Sequence, residues 1–258
     1  MSSILFEQIG QVGKITLNRP ESYNSFNKEM AVGLQSLLDQ CAASDDIRCL
    51  YITGAGKAFS AGQDLVEVTS ENAPEIGHIV SDHYNPIISK IRSIEKPVVA
   101  GVNGVAAGAG CNIAIACDII IASEKASFVQ AFSKIGLVPD SGGTYFLPRI
   151  IGFHRATAMM MLSDKMTVEE AKQIGLVHKV FPQDAFEEEA IKVASRLSNM
   201  PTKGLGLTKR ALNYSCHNDL DTQLGIEEQL QSNAALSQDY KEGVDAFLEK
   251  RAPNFTGK

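Results

Sequence analysis

The most informative part of the chain reads Lys96-Pro-Val-Val-Ala-Gly-Val-Asn-Gly-Val-Ala-Ala-Gly-Ala-Gly-Cys-Asn-Ile-Ala-Ile-Ala-Cys, residues 96–117. No charged residue occurs between Pro97 and Cys117, and glycine and alanine stand where an ordinary core would hold leucine. An apolar run followed by glycines and a second apolar run predicts a buried strand, a tight turn and a buried helix. Small residues at such a turn let the backbone approach a neighbour or a ligand closely.

A membrane helix is the competing interpretation of this stretch, because of its length and the spacing Gly104-x-x-x-Gly108. A proline at its start, several glycines, two asparagines and a charge just beyond either end make it too polar for a span. We therefore expect no membrane segment.

The elements on both sides of this stretch alternate between strand and helix up to residue 145 and are mainly helical afterwards. Alternating apolar and polar residues predict a β-hairpin over 3–9 and 12–18. Further strands are expected at 48–53, 97–102, 118–122 and 177–181. Helices are expected at 27–41, 75–95 with a bend near Pro86, 108–116, 153–163, 167–174, 184–198, 203–216, 219–233 and 237–250. This order predicts an α/β protein with a helical C-terminal region.

The composition is that of an ordinary globular protein and not of a disordered one. The net charge of −6 leaves no basic excess for nucleic-acid phosphates, so we expect no nucleic-acid partner. Five cysteines without a Cys-x-x-Cys pair do not indicate a disulfide framework or a zinc ribbon. The first residues lack the basic and apolar segments of a secretory signal, and we expect a cytoplasmic location.

Several common active-site motifs are incomplete in this sequence. Gly54-Ala-Gly-Lys57 is not in the frame of a phosphate-binding loop, and residues 104–110 lack the spacing of a dinucleotide fingerprint. Pro139 stands where a nucleophile elbow needs its first glycine. The five histidines show no metal-ligand spacing. Metal, dinucleotide and serine-hydrolase chemistry are therefore not favoured.

Asp140 is an acid in an unusual setting, Gly136-Leu-Val-Pro-Asp-Ser-Gly-Gly-Thr144. A lone carboxylate beside free backbone N–H groups can move a proton next to a carbonyl. Two glycine-rich turns, 59–64 and 106–111, each follow a strand, and the second opens a helix whose first N–H groups lack intrahelical partners. On the residues alone, close packing by small residues is the simpler explanation of these turns, and both explanations stay open.

Four motifs resemble those of the enoyl-CoA hydratase/isomerase (crotonase) superfamily. They are Asn18-Arg-Pro-x-x-x-Asn24, Lys57-Ala-Phe-Ser-Ala-Gly-Gln-Asp64, Lys96-Pro-Val-Val-Ala-Gly-Val-Asn-Gly-x-Ala-x-Gly108 and Cys117-Asp-Ile-Ile-Ile-Ala122. The similarity extends to residues 247–255 near the end of the chain. Within the superfamily the chain is most similar to bacterial isomerases of phenylacetate catabolism. Those enzymes convert 1,2-epoxyphenylacetyl-CoA to oxepin-CoA and also shift double bonds in enoyl-CoA thioesters.

The resemblance implies a crotonase-like spiral of ββα turns over residues 1–195 and a helical C-terminal trimerisation region over 196–258, in one continuous unit. It implies a homo-trimer or hexamer, with a hetero-complex with a related hydratase as a further option. The implied substrate is an acyl-CoA thioester. Coenzyme A then enters as part of the substrate, and neither a separate cofactor nor a metal is expected.

The resemblance also assigns catalytic residues. The oxyanion-hole N–H groups correspond to those of Ala61 and Ala109, and the two water-activating glutamates of hydratases are replaced by Asn112 and Phe132. Asp140 stands at the position of the proton-shuttling acid of related isomerases. We therefore expect an acyl-CoA isomerase with Asp140 as proton shuttle. A 2-enoyl-CoA hydratase and a non-catalytic partner of a hydratase are the alternatives.

By the same resemblance, CoA lies along the loop 57–65, and a neighbouring subunit closes over its nucleotide. The loop residues expected near CoA are Lys57, Ser60, Gln63, Asp64 and Leu65, and those of the neighbour are Phe247 and Lys250. An acyl pocket lined by Tyr84, Phe132 and Tyr145 is an alternative to ordinary core packing of these aromatic rings. Loop capping is likewise an alternative role for the loop aspartate.

Overall fold

The computed structural model describes residues 2–69 and 73–258, in which ten strands alternate with helices. The strands are β1 (Ile4–Ile9), β2 (Val12–Leu17), β3 (Cys49–Gly54), β4 (Ala58–Ser60), β5 (Val98–Val102), β6 (Val105–Ala107), β7 (Ile119–Ser123), β8 (Ser127–Val129), β9 (Met166–Thr167) and β10 (Lys179–Phe181). The expected hairpin and the four further expected strands are all present. The remaining strands have two or three residues each and were not expected.

The helices of the described residues fall into a group within the α/β part and a group at the C-terminus. The first group is α1 (Lys28–Ala43), α2 (Leu65–Val68), α3 (Ile76–His78), α4 (Asn85–Ser93), α5 (Gly108–Ala116), α6 (Gly143–Ile151), α7 (Phe153–Leu162), α8 (Val168–Gln173) and α9 (Phe186–Ser198). The second group is α10 (Thr202–Ser215), α11 (Leu220–Ala235) and α12 (Gln238–Glu249). Short 3-10 turns lie at Pro20–Ser22 and Ala131–Ile135. All expected helices are present, and α2 and α6 are additional ones.

Two sheets are built in alternation along the chain. The larger has the order β1-β2-β3-β5-β7-β10, and the smaller has the order β4-β6-β8-β9. The pairs β3/β4, β5/β6 and β7/β8 each contribute one strand to each sheet before the chain continues into helices. Apart from the antiparallel pairs β1·β2 and β8·β9, the pairings are parallel. This alternation is the expected spiral of ββα turns.

The apolar stretch 96–117 forms the centre of the spiral, as its composition predicts. Every residue of β5 and of α5 is buried. Directly after α5, Asp118 accepts from Arg92 at 3.0 Å and from Lys209 at 2.8 Å. These ion pairs fasten α4 and α10 to the end of the buried helix. In the described part of the chain, no helix is long and apolar enough to cross a membrane.

The helical stretch expected at 75–95 is interrupted by a π-helical turn, Ile79–Tyr84, between α3 and α4. Pro86 is the second residue of α4, and the helical backbone runs into it directly from the π-helical turn, with Asn85 N–H bonded to the Val80 carbonyl. The change in helical winding therefore comes just before the proline. Tyr84, the last residue of the π-helical turn, has an almost fully buried side chain. Its ring packs edge-on against that of Phe26, with 5.9 Å between the ring centroids.

Two buried charged groups act on the helical C-terminal region: Arg48 attaches it to the core, and Asp239 holds its last residues against α12. Arg48, just before β3, donates to the backbone carbonyls of Met200 and Phe255 at 2.6 and 2.9 Å. The buried Asp239 accepts from the backbone N–H groups of Thr256 and Gly257 at 2.6 and 2.8 Å. Residue 195, the expected end of the spiral core, lies inside α9, and the division of the chain at this point stays a prediction.

Substitution of Gly101 tests the packing between β5 and β3 in this core. Gly101 lies in β5 beside the fully buried ring of Tyr51 in β3, and a Cβ there would overlap that ring. We expect Gly101→Ala to lower the free energy of unfolding by about 1–3 kcal/mol, the usual effect of overpacking. Denaturant titration of the purified protein measures it.

The matched control is Gly225→Ala in α11, where no atom lies within 4 Å of an added Cβ. Alanine favours a helix over glycine by up to about 1 kcal/mol, so this variant should be as stable as the wild type or slightly more stable. A Gly101→Ala protein with wild-type stability would contradict the described contact between β3 and β5.

Candidate active site

The two glycine-rich turns meet at one cavity of about 370 Å³, a size common for small-molecule sites. The ends of β4 and β6, the start of α5 and the 3-10 turn Ala131–Ile135 surround it. Its walls are mainly apolar and include Val68, Ile76, Ile79, Val80, Ile135 and Leu137. Among the described residues that line it, Asp140 is the only acid.

A short parallel bridge between Phe26 and Gln63 sets the backbone of the first turn. The N–H of Phe26 donates to the carbonyl of Gly62 at 2.7 Å, and the carbonyl of Phe26 accepts from Asp64 N–H at 2.9 Å. Backbone groups of successive residues in an extended segment point to opposite sides. The N–H of Gln63 therefore points away from Phe26, and it has no acceptor within residues 2–69 and 73–258.

The oxyanion-hole assignment of Ala61 needs correction. Its backbone N–H donates to the carbonyl of Tyr23 at 2.9 Å, so this donor is already used inside the protein. Ala61 lines the cavity, but the free donor of the turn lies two residues further along, at Gln63. The sequence named Gln63 only as a CoA contact.

Ala109 supplies a second N–H at the same cavity. It is the second residue of α5, and Ala107 caps the helix without a side-chain hydrogen bond. The first N–H groups of a helix have no intrahelical acceptor and carry partial positive charge. A Cβ on Gly62, which has φ of +90°, would lie 2.9 Å from the Ala107 oxygen and 3.4 Å from the Ala109 nitrogen. The turns thus approach so closely that glycine is needed between them.

The side chain of Gln63 is held by polar partners within the cavity wall. Tyr84 donates its hydroxyl to Gln63 Oε1 at 2.7 Å, and Gln63 Nε2 donates to Glu67 Oε2 at 3.0 Å. Burial raises the pKa of Tyr84 well above its usual value, and the negative charge of Asp140 acts in the same direction. Tyr84 is therefore a neutral hydrogen-bond donor at neutral pH. Its expected place in the acyl pocket agrees with the cavity lining.

Asp140 lies in the loop between the 3-10 turn Ala131–Ile135 and α6, and it lines the cavity. Burial raises the pKa of its carboxyl above the ordinary value, while the hydroxyl of Ser141, which donates to Oδ1 at 2.8 Å, acts in the opposite direction. A raised pKa makes a carboxylate a stronger base at neutral pH. Because two free N–H groups line the same cavity, the arrangement can remove a proton beside a carbonyl and stabilise the resulting oxyanion.

Asn112 and Phe132 do not offer a base. Asn112 is fully buried, with both ends of its amide bonded to protein groups, and Phe132 presents a ring to the cavity. Activation of water by a pair of carboxylates is therefore absent from the described lining of this cavity.

The residues expected to contact CoA differ in whether their side chains are exposed or are used inside the protein. Lys57 and Leu65 are exposed, and Leu65 lines the cavity. Ser60 is fully buried and donates its hydroxyl to the Asn24 carbonyl at 2.8 Å, so it shapes the loop rather than facing a ligand. Asp64 caps α2 through Val66 N–H and binds Arg19 at 2.7 Å, which is the capping role considered as its alternative.

Three further expected residues lie outside the cavity of this chain. Tyr145 bonds His217 Nε2 through its hydroxyl at 2.9 Å and is absent from the cavity lining, which favours ordinary packing, the alternative considered for this ring. Phe247, which is 82% exposed, and Lys250 lie at the end of α12. Their contact with a neighbouring subunit's nucleotide stays a prediction.

The sequence reasoning missed the aliphatic wall formed around the π-helical turn, including Ile76, Ile79 and Val80. In sequence these residues look like the core face of one continuous helix. The change to π-helical winding, which gives no clear sequence signal, turns them toward the cavity.

Comparison with known proteins gives one consistent family. The sequence matches the enoyl-CoA hydratase/isomerase family over residues 7–258. It is 48% identical to the 1,2-epoxyphenylacetyl-CoA isomerase of Escherichia coli K12, covering 95% of this chain and 94% of that protein. It is 34% identical to the 2,3-dehydroadipyl-CoA hydratase of the same organism, covering 100% of both. A crystal structure of an enoyl-CoA hydratase from Bacillus anthracis superposes with a TM-score of 0.93 at 34% identity, covering 99% of this chain and 100% of that one.

The raised pKa of Asp140 predicts an effect on stability that requires no substrate. Since the folded-state pKa lies above the unfolded-state value, ionising the carboxyl costs folding free energy at every pH above that raised pKa. We expect Asp140→Asn to have a higher Tm than the wild type at neutral pH. The difference should shrink as the pH falls through the raised pKa toward that of an ordinary aspartate.

Asp184→Asn, at an exposed turn position, is the control and should leave Tm unchanged. Thermal melts of the three proteins over a pH series make the measurement. A lower Tm for Asp140→Asn at neutral pH would show that the carboxylate is stabilised, not penalised, by its surroundings.

Proposed function

The chain belongs to the enoyl-CoA hydratase/isomerase family and has the crotonase fold, and we propose that it is an acyl-CoA isomerase that acts through a thioester enolate. The observation behind this proposal is one cavity whose lining includes a carboxylate, that of Asp140, and two free backbone N–H donors, those of Gln63 and Ala109. A proton shuttle between two carbons needs only one such base, which takes up a proton and returns it.

For a 3-enoyl-CoA the proposed reaction is a shift of the double bond. The Asp140 carboxylate takes a proton from C2, and the electrons of that C–H bond move into the thioester to give a dienolate. The N–H groups of Gln63 and Ala109 donate to the enolate oxygen, each worth about 3–4 kcal/mol by comparison with other oxyanion sites. The protonated Asp140 then donates to C4, the bonds rearrange, and 2-enoyl-CoA leaves with the carboxylate regenerated.

The acyl group is proposed to be apolar, because aliphatic side chains and the rings of Tyr84 and Phe132 form most of the cavity wall. Flat rings provide a good surface for an aromatic or ring-epoxide acyl group. The E. coli relative that is 48% identical is an isomerase of 1,2-epoxyphenylacetyl-CoA. We therefore propose 1,2-epoxyphenylacetyl-CoA, converted to oxepin-CoA, together with linear 3-enoyl-CoA thioesters as the substrates to test.

We further propose that the protein assembles with copies of itself as a trimer or hexamer. The C-terminal helices expose several large apolar side chains, including Leu220, Leu236, Phe247 and Leu248 at 71–85%. Contiguous exposed apolar surface is characteristic of interaction sites. Light scattering on the purified protein tests this assembly; a monomer would contradict it.

Replacing the carboxylate tests the catalytic proposal. We expect Asp140→Asn to lower kcat for 3-enoyl to 2-enoyl conversion by roughly 10²–10⁴-fold, the usual contribution of a general base. KM should change little, because the cavity and both N–H donors remain. The conjugated thioester is followed by absorbance, and products are identified by chromatography and mass spectrometry.

Asp184→Asn serves again as the control and should be fully active. Near-normal turnover by Asp140→Asn would rule out the proton shuttle. Efficient conversion of a 2-enoyl-CoA to its 3-hydroxyacyl product by the wild type would instead assign a hydratase. Failure of every acyl-CoA tested, together with tight binding to a hydratase, would assign a non-catalytic partner.

A further inference from the structure

A buried pair of amides connects α5 to the backbone of the proposed catalytic acid. The side chains of Asn112 and Gln130 are both fully buried. Gln130 Nε2 donates to Asn112 Oδ1 at 2.7 Å, and Asn112 Nδ2 donates to the backbone carbonyl of Asp140 at 2.9 Å. The amides thus form a directional chain that ends on the catalytic residue.

The backbone that receives this chain is a tight turn. The carbonyl of Asp140 also accepts from the N–H of Gly143 at 2.9 Å, and the two residues between them have left-handed backbone, with φ of 50° at Ser141 and 73° at Gly142. Left-handed backbone is unfavourable for a non-glycine residue, so the turn needs support from its surroundings. The Asn112 amide is a second hydrogen bond to the same carbonyl.

The packing around the turn is shaped to this amide. A Cβ on Gly143 would overlap the amide group of Asn112. The absence of a side chain at Gly143 therefore lets the amide reach the turn. The Asn112 amide is thus packed directly against the backbone of Gly143.

Gln130 determines which end of the Asn112 amide faces Asp140. Because Gln130 offers an N–H to Asn112, the oxygen of Asn112 faces Gln130 and its NH₂ group faces the Asp140 carbonyl. The remaining oxygen of Gln130, Oε1, is buried without a partner among the described residues. An unsatisfied buried oxygen is costly, which makes Gln130 an unfavourable choice for simple space filling.

The location of Asn112 on α5 links the two halves of the site. Asn112 lies three residues after Ala109, on the same side of the same helix. The oxyanion donor and the anchor of the base are therefore held by one rigid, fully buried element. Their separation is fixed by helix geometry and does not depend on loop conformation.

We propose that Asn112 and Gln130 are positioning residues that hold the Asp140 carboxylate at its place relative to the oxyanion donors. This inference rests on the proposed function, in which Asp140 is the proton shuttle. It gives Asn112 a role of its own at a position where it offers no base. The side chain anchors, through a backbone carbonyl, the acid that does the chemistry.

The test is a double variant that separates positioning from stability. Asn112→Leu alone leaves the Gln130 NH₂ group with only its weak contact to the Cys111 sulfur at 3.6 Å. Asn112→Leu together with Gln130→Leu replaces both amides by apolar groups of similar size. Replacing both partners of a buried hydrogen bond in this way can be nearly neutral for stability. We expect the double variant to keep a Tm and a thioester affinity close to those of the wild type.

Its kcat for 3-enoyl-CoA isomerisation should nevertheless fall by roughly 10–100-fold, the loss typical of a misplaced catalytic group. Affinity is measured by calorimetry with a saturated acyl-CoA, and kcat and KM from initial rates. The control is Asn199→Leu at the exposed end of α9, which should have wild-type kcat.

A second variant, Gly143→Ala, leaves both amides in place but pushes the Asn112 side chain off the turn. It should lower kcat with little change in thioester affinity, which supports the proposal even if the double variant fails to fold. Wild-type kcat in either folded variant would overturn it, as would equal losses of kcat and affinity.

Asp140→Asn, assayed in parallel, separates the positioning proposal from the proposed proton shuttle. Normal turnover there refutes the shuttle itself, whereas an inactive Asp140→Asn beside a fully active double variant refutes only the positioning role.

Discussion

The bridge between Phe26 and the segment 62–64 is the constraint on which the site depends. By bonding the Gly62 carbonyl and the Asp64 N–H, the backbone of Phe26 leaves the N–H of Gln63 pointing to the other side. Gly62 then allows this turn to approach the start of α5, where Ala109 offers its own N–H. A site built from backbone donors on sheet ends and a buried helix needs no side-chain movement to form, which is the preorganisation that oxyanion stabilisation requires.

The second constraint is the apolar cavity around Asp140. An aliphatic wall that suits an acyl chain also desolvates the carboxyl of Asp140, so the residues proposed to bind the acyl group also raise the pKa of the proposed base. Desolvation of the ionised carboxyl lowers the folding stability, and the hydrogen bond from Ser141 reduces this effect. Binding, basicity and stability are thus linked through one set of side chains.

Much of the fold follows from the sequence because its long elements have clear patterns. The β1–β2 hairpin alternates, β5 and α5 carry no charged residue, and the C-terminal helices have helical spacing. The short strands of the second sheet, such as β4 and β6, escaped prediction because two or three residues show no period. Helix α6 begins with Gly143 and contains Pro148, two residues that argue against a helix locally.

Several residues of the candidate site were predicted from the sequence, but its aliphatic wall and its hydrogen bonds were not. Asp140, Phe132, Ala109 and Gln63 were all named from the sequence, and all line the cavity. The choice between Ala61 and Gln63 as the free donor depends on Tyr23 and Phe26, some forty residues earlier in the chain. Local pattern holds no information about such long-range backbone bonds.

The central claim is that Asp140 and the two backbone N–H groups together make an acyl-CoA thioester exchange a carbon-bound proton. Hydrogen exchange tests it most directly, because a saturated acyl-CoA in deuterated water can exchange at C2 without any later step. Mass spectrometry should show deuterium entering C2 with the wild type and no enzyme-dependent entry with Asp140→Asn. Equal deuterium uptake with both proteins, or none with the wild type for any acyl-CoA that binds, would contradict the account.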